Sequence, residues 1–593
     1  MSHTSCAPPP APGQLTATLT TPKIVFLIIA AAAPLAAMVA TVPLAFALGN
    51  GPGVPALFVF AGLTLMCFCV GYAAISRRVV NAGGFYTYIS CGLGRPPAVA
   101  AGLIATLAYN TASTGLLGSF AYFTHLIAAQ HGISLPWQLW AAAGLLAIAV
   151  LGYRQIDLSV RVLGVAMCCE VGILLILAAA VLLRHGHHAL PATSFSTHTL
   201  SHPGIGVTMM FAFISFIGIE SAALYGEESR HPERSVARAT YIAISLIALF
   251  YGFISWIAVG AVGPGHIRAV AGQELGDLFF RLSDDYLTST LTSLMQILLC
   301  LSLFAGWLAL HNAANRYMFV LGRERILPSA LGTVHPRHAS PFRASLAQTL
   351  FSLLLATVFA LAGLDPYLGL TTSMLGIGTL GIVLLQAVAC LSVIGYFRRR
   401  PDRHWWRTTL APALGFLGLA AATFLVVDNF ATMTGTDNPV VGLLPWLILA
   451  VAAAGIAYAL WLRQARPARY ARLAGVHTRQ ENTTPARHEP ARHTEPTELL
   501  EHTEHPEHAE HAGQAEHPEH AEHAGQAEHA GHAGQGGHAG QAGQGEPAER
   551  AAHAGRSEPA EHGEPAEHAG HGEPAGAAGQ AGRTVPGRAT ARR

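Results

Sequence analysis

The stretch Met209–Ser229, MMFAFISFIGIESAALYGEES, is apolar enough to cross a bilayer, yet it carries β-branched residues, Gly218 and an ionisable Glu220 near its middle. β-Branched residues and glycine are weak helix formers, and a charge at lipid depth costs about 3 kcal/mol on insertion scales. The run therefore predicts a helix interrupted around Phe216 to Glu220. A second run, Val25–Phe46 (VFLIIAAAAPLAAMVATVPLAF), holds Pro34 and Pro43 inside an apolar segment. Each proline removes a backbone donor and clashes with the preceding turn, so an unwound stretch or kink is expected here too. Prolines and glycines are also common in membrane helices as plain kinks, and hydropathy alone leaves that alternative open.

The surrounding composition sets the solvent. The 593 residues are 51% hydrophobic and 12% charged, against roughly 25% charged in soluble domains. Apolar runs long enough to cross a bilayer core of about 30 Å fall near 24–48, 54–76, 96–129, 137–153, 159–183, 205–226, 239–262, 290–316, 343–362, 367–396, 408–428 and 441–462. These predict an all-α membrane protein of about twelve helices, with the lipid bilayer as its partner. The runs do not alternate in polarity, which excludes an outer-membrane barrel. A net charge of +1 without a basic soluble domain argues against nucleic acid. Cys67, Cys69, Cys168, Cys169, Cys300 and Cys390 lie inside apolar runs at spacings unlike a zinc site or a disulfide framework, and read as small buried hydrophobes.

Placing the loop after the second run in the cytoplasm puts Arg77, Arg78, Arg95, Arg154, Arg230, Arg234, Arg238, Arg323, Arg325, Arg337 and Arg398 to Arg400 inside. Arg184, Arg268 and Arg281 are left outside. Both termini are then cytoplasmic. Five spans separate the two interrupted runs, the arrangement of inverted-repeat carriers whose half-helix ends and freed carbonyls bind solute near the midplane. The expected organisation is an N-terminal segment 1–22 and a membrane domain 23–463. Within that domain the repeats lie near 23–184 and 205–397, with extra helices near 408–462.

Three stretches resemble amino-acid permeases of the amino acid-polyamine-organocation superfamily, a similarity covering about residues 20 to 463. NAGGFYTYISCGLGRP (81–96) is similar to the family's Gly-Gly-x-Tyr-x-Tyr segment, with Gly83 and Gly84 suited to close backbone approach. FISFIGIESAALYGEESRHPERSVARAT (213–240) resembles the sixth-helix signature and its basic loop, with Glu228, Pro232 and Arg234. FAGWLALHNAANRYMFVLGRERILP (304–328) resembles the eighth helix, with Trp307 at the aromatic gate position. The resemblance implies a LeuT-type five-plus-five core with discontinuous helices 1 and 6, alternating access, and zwitterion recognition by backbone groups of those helices. The implied activity is secondary active transport of an amino acid or related amine across the plasma membrane, with no enzymatic chemistry and no cofactor. Coupling to a proton or exchange is expected; a sodium site is not, because no set of hydroxyl ligands stands out near Leu303. Polyamine or ethanolamine uptake, and a nutrient or metal sensor on the permease fold, are the alternatives.

Particular residues follow from these expectations. The half-helix N-terminus near Pro34, Ala36, Ala37 and Met38 is suited to a substrate carboxylate, although many relatives carry a Gly-Ser-Gly-type stretch there. Carbonyls around Ile214, Ser215, Ile217 and Gly218 are suited to its ammonium. Glu220 reads as a latch for the sixth helix or a protonatable gate. Glu170 lies near mid-membrane, at a position that resembles one carrying lysine in some proton-coupled relatives; it reads either as the coupling group or as a hydrogen-bonded packing residue. Trp307 is a gate candidate and His311, one turn on, a structural histidine. Tyr109, Asn110, Thr371 and Thr372 are pocket or interhelical polar groups.

Residues 464–593 differ in kind. Repeats such as EHAGQAEHPEHAEHAGQ, about half of the chain's 31 histidines and almost no large apolar side chains predict a disordered cytoplasmic tail. Weak divalent-metal binding at histidines such as His502, His505, His508 and His511 stands against a segment with no role in transport. No metal site is expected in the core.

Overall fold

The apolar runs become helices because, without water, a spanning chain must satisfy its backbone polar groups internally. In a computed structural model of the protein the described residues are 20–79, 83–154, 160–201, 203–220, 232–338, 340–398, 400–434 and 439–473, with backbone only at 160–163, 232–234, 433 and 439–440. Residues 474–593, and with them His502, His505, His508 and His511, lie outside the described residues, as do Glu227, Glu228 and Arg230.

Among the described residues there is no β-strand. The first span is three pieces, α1 (Thr21–Ala32), α2 (Pro34–Ala40) and α3 (Val42–Leu48), followed by α4 (Val54–Ser76). A short α5 (Gly84–Leu93) leads into α6 (Arg95–Gln130), then α7 (Trp137–Arg154) and α8 (Val160–His185). After one turn, α9 (Thr197–Leu200), the interrupted sixth span begins as α10 (Ile205–Ser215). The seventh span, α11 (Pro232–Val262), precedes a hairpin of α12 (Ile267–Glu274) and α13 (Leu278–Tyr286). The remaining spans are α14 (Ser289–Arg323), α15 (Phe342–Leu361), α16 (Thr372–Phe397), α17 (Ala411–Asp428) and, after the short α18 (Phe430–Thr434), α19 (Pro439–Ala465). The chain then closes with α20 (Pro467–Arg472).

Nine helices among the described residues are long and apolar enough to cross a membrane. Two more polar ones, α6 of 36 residues and α7 of 18, measure about 54 and 27 Å at 1.5 Å per residue. With the interrupted α10 they account for the expected runs. The outer surface is apolar: Leu183 is 88% exposed and Leu361 85%, which only lipid tolerates over so many side chains.

Three features depart from the hydropathy reading. α5, the α12–α13 hairpin and α20 are helical but too short or too polar to register as spans. α20 lies in the stretch grouped by composition with the tail, and it is tied down. Arg95 donates to the carbonyls of Leu473 at 3.1 Å and Ala471 at 3.0 Å, its guanidinium lies 5.5 Å from the Tyr470 ring, and Arg469 donates to the Arg325 carbonyl. Cys168 and Cys169 are exposed, not buried; they sit on the outward side of α8, where an apolar residue needs no protein neighbour.

Small residues set the interhelical spacing, as expected where packing rather than water drives association. A Cβ on Gly378 would stand 2.7 Å from the Ala112 Cβ, and one on Gly115 would stand 2.8 Å from the Leu375 nitrogen, so α6 and α16 meet nearly backbone to backbone. A Cβ on Gly92 would fall 2.0 Å from the Ser392 carbonyl oxygen. Gly92→Ala must therefore separate α5 from α16. It is expected to cost about 1–3 kcal/mol, read as a lower melting midpoint of the detergent-purified protein; an unchanged midpoint would contradict this packing.

Candidate functional site

The first break is built by Ala33, which adopts φ 45° and ψ 72° directly before Pro34. Left-handed backbone is rare for a residue with a Cβ, and proline disfavours helix in the residue before it. The two effects end α1 and restart the chain as α2. Restarting leaves the first-turn N–H groups of α2 without intrahelical partners. They are filled from distant helices: the Leu35 N–H donates to the Glu170 Oε2 at 3.5 Å, and the Ala36 N–H to the Ser302 Oγ at 3.3 Å. Ser302 in turn donates to the same Glu170 oxygen at 2.7 Å. The carbonyl ends are held as well, by Tyr251 donating to Ala32 at 3.1 Å and Tyr367 donating to Ala40 at 2.9 Å.

The second break is built by Gly218. α10 ends at Ser215, and the chain turns through Phe216 and Ile217 to Gly218 at φ 107°, a backbone region open mainly to glycine. A Cβ there would also stand 3.1 Å from the Ala31 carbonyl carbon and oxygen, so the two breaks touch. The Gly218 N–H donates to both oxygens of Glu220, at 3.2 and 3.3 Å, and Tyr109 donates to Oε1 at 2.7 Å. Tyr109 is itself stacked on Tyr317, with ring centroids 5.2 Å apart. Glu220 is thus a carboxylate folded back onto its own break.

Between the breaks lies a small cavity of about 50 Å³. Its walls are chiefly alanine from the first span, including Ala31, Ala32, Ala33, Ala36, Ala37 and Ala40, faced by Ile214, Ser215 and Ile217. Thr41 and Ser119 add hydroxyls, and Leu116, Leu303 and Leu375 close the sides. No ionisable side chain lines it among the described residues.

Of the residues singled out from sequence, Ala36, Ala37, Ile214, Ser215 and Ile217 form the wall. Pro34 and Gly218 make the breaks, and Met38 is fully buried beside them without reaching the cavity. Tyr109 serves Glu220 rather than the cavity. Trp307 stands away from the wall, packed 5.9 Å from Phe120 and 6.3 Å from Phe304, with no hydrogen-bond partner for its buried indole N–H among the described residues. His311 bonds Gln348 and, at 2.9 Å, Ser345. Asn110 donates to the Thr106 carbonyl at 2.6 Å, Thr371 to Pro366 at 2.9 Å, and Thr372 to Leu368. Sequence reasoning missed Ser302, one residue from the Leu303 neighbourhood searched for hydroxyls, and the alanines of α1, which carry no chemical signal of their own.

Two interrupted helices meeting around a small cavity inside an apolar bundle of membrane-length helices describe a multi-pass membrane protein. A sequence profile described as amino acid permease matches residues 19–455. The chain belongs to the amino acid permease family, within the amino acid-polyamine-organocation superfamily. It is similar to the branched-chain amino acid permease of Bacillus subtilis, 24% identical over 424 residues, 67% of this chain and 84% of the relative. An uncharacterized amino acid permease of the same organism is 27% identical over 365 residues, 60% and 80% of the two chains. The chloroplastic cationic amino acid transporter 6 of Arabidopsis thaliana is 22% identical over 407 residues, 64% and 65% of the two chains.

Removing the Tyr109 hydroxyl leaves part of a buried carboxylate unsatisfied, so Tyr109→Phe is expected to cost about 1–3 kcal/mol. Gly218→Ala, which meets both a forbidden φ and the Ala31 backbone, should lower the melting midpoint at least as far. Wild-type melting of both variants would show that Glu220 and Gly218 do not hold the break.

Proposed function

We propose that the protein is a secondary active transporter of neutral aliphatic amino acids across the plasma membrane, working by alternating access with both termini in the cytoplasm. The observation that carries this reading is the alanine-walled cavity between the two helix breaks. A solute there would be offered backbone groups and hydroxyls but, among the described residues, no fixed charge. That favours a substrate whose own charges cancel, with a small apolar side chain, over a polyamine or a cationic amino acid. The name of the branched-chain relative points the same way. The excess of arginine at one set of loops supports the orientation.

Glu170 supplies the coupling. Its carboxylate faces the positive end of α2, tying the first turn of that half-helix to α8 and α14 through Leu35 and Ser302. The cavity wall, at Ala36 and Ala37, is the same turn of backbone seen from the other side. Protonating Glu170 removes the charge that holds this turn, so proton uptake and movement of the cavity wall become one event. Trp307, packed against Phe120 and Phe304 beside the cavity's helices, is the group that rearranges as the path opens, since a large aromatic side chain can close over a solute.

Two expected outcomes test this. Glu170→Gln keeps an acceptor at the α2 terminus but cannot change charge. In proteoliposomes it should retain exchange of labelled for unlabelled substrate while losing accumulation driven by a pH gradient; full proton dependence in that variant would remove Glu170 from the coupling. Ala37→Leu places a larger side chain in the cavity. It should lower leucine uptake at least tenfold while lowering alanine uptake less, and equal uptake of both at wild-type levels would remove the cavity from the path.

A further inference from the structure

A second cavity, of about 490 Å³, opens where the ends of α8 and α11 meet the α12–α13 hairpin, a size within the usual range for small-molecule sites. It lies outside the two breaks and shares none of the central cavity's lining residues. Its floor is apolar, formed by Ala261, Val262, Leu278 and Leu282. Its rim is charged with both signs. Arg184, at the end of α8, is held by donating to the backbone carbonyl of Asp285 at 3.0 Å and by lying 5.2 Å from the Tyr286 ring centroid. No carboxylate pairs with Arg184 among the described residues. The Asp285 carboxylate is 58% exposed and its nearest cation is Arg281, at 4.0 Å; Arg281, which also lines the cavity, pairs more closely with Glu274. Tyr286 is fixed in turn by His185 at 2.6 Å and by donating to the Ala261 carbonyl at 3.2 Å.

We infer that this cavity is a peripheral binding site for a free amino acid in its zwitterionic form. A planar guanidinium with donors to spare recognises a carboxylate in bidentate fashion. Asp285, the residue whose carbonyl positions that guanidinium, offers its own carboxylate to the ammonium. The aliphatic side chain then lies on Val262, Leu278 and Leu282. A dianion would match only the arginine side of the rim and a dication only the aspartate side. The site joins α8, α11 and the hairpin, and α12 of that hairpin packs on α3, the outer piece of the interrupted first span. An occupant therefore fastens the hairpin to the bundle and biases the mobility of the span that walls the central cavity. The choice of an aliphatic amino acid as ligand rests on the proposed function.

Equilibrium binding of radiolabelled L-leucine to the purified full chain tests this. The wild type should bind two equivalents. Arg184→Gln and Asp285→Asn should each weaken one of them at least tenfold with an unchanged melting midpoint, while Ala37→Leu removes the other. Unaltered binding in both rim variants would overturn the inference. So would a single wild-type equivalent that Ala37→Leu abolishes and Arg184→Gln leaves, a result that keeps the transport reading. A chain that moves no leucine yet binds one equivalent lost in Arg184→Gln would sustain the peripheral site and sink the transport reading.

Discussion

The structure depends on how two breaks in otherwise continuous helices are satisfied where water is absent. Each break strands backbone N–H groups in an apolar bundle, and an unpaired polar group there costs several kcal/mol. At both breaks a carboxylate supplies acceptors. Glu170, with Ser302, receives the first turn of α2, and Glu220 receives Gly218 and Tyr109. Each acid and the stranded donors it meets explain one another's presence: a buried carboxylate is costly alone, and so is a stranded donor, but each offsets the other. The two are not equivalent. Glu220 is bound to its own break two residues away and to one other helix through Tyr109, which makes it a latch on that break. Glu170 reaches across 135 positions of sequence and joins three separate spans through Leu35 and Ser302, which is why the proposed coupling is placed on it.

Small side chains make the second constraint. Alanine along the first span lets the breaks approach until Gly218 touches Ala31, and it lines a cavity that no ionisable side chain faces among the described residues. Selectivity in such a site is set by volume more than by specific polar contacts. A methylene group in an apolar pocket discriminates by only about 1–3 kcal/mol, so the proposed function implies a group of related aliphatic substrates rather than a single one.

Much of this was legible in the sequence because helix-breaking residues act locally. Pro34 and Gly218 lie at the breaks the sequence marks, although Pro445 inside α19 shows that such a residue alone need not break a helix; run lengths place most helix ends within a few residues. The interruption after Ser215 was expected from Gly218 and Glu220 together. The partners were not legible. That Ser302 meets Glu170, or that Tyr109 serves Glu220 rather than a solute, depends on helix rotation, which an all-round apolar span does not encode because no polar face marks its inward side. The exposed Cys168 and Cys169 fail to match a buried reading for the same reason. Short helices such as α5 and α20 escape hydropathy because their stability comes from tertiary contacts, as with Arg95 against Leu473 and Tyr470. The mixed-sign rim at Arg184 and Asp285 lies about a hundred residues apart in sequence, and only the hairpin brings its parts together.

The central claim is that the cavity between the breaks carries neutral aliphatic amino acids. Its most direct measurement is initial uptake by wild-type protein in proteoliposomes, with an inward proton gradient, across a panel of labelled alanine, leucine, lysine and putrescine. Saturable, gradient-stimulated uptake of the neutral amino acids and little of the two cations is the expected result. Preferential uptake of lysine or putrescine, or flux indistinguishable from empty liposomes for every member of the panel, would contradict it.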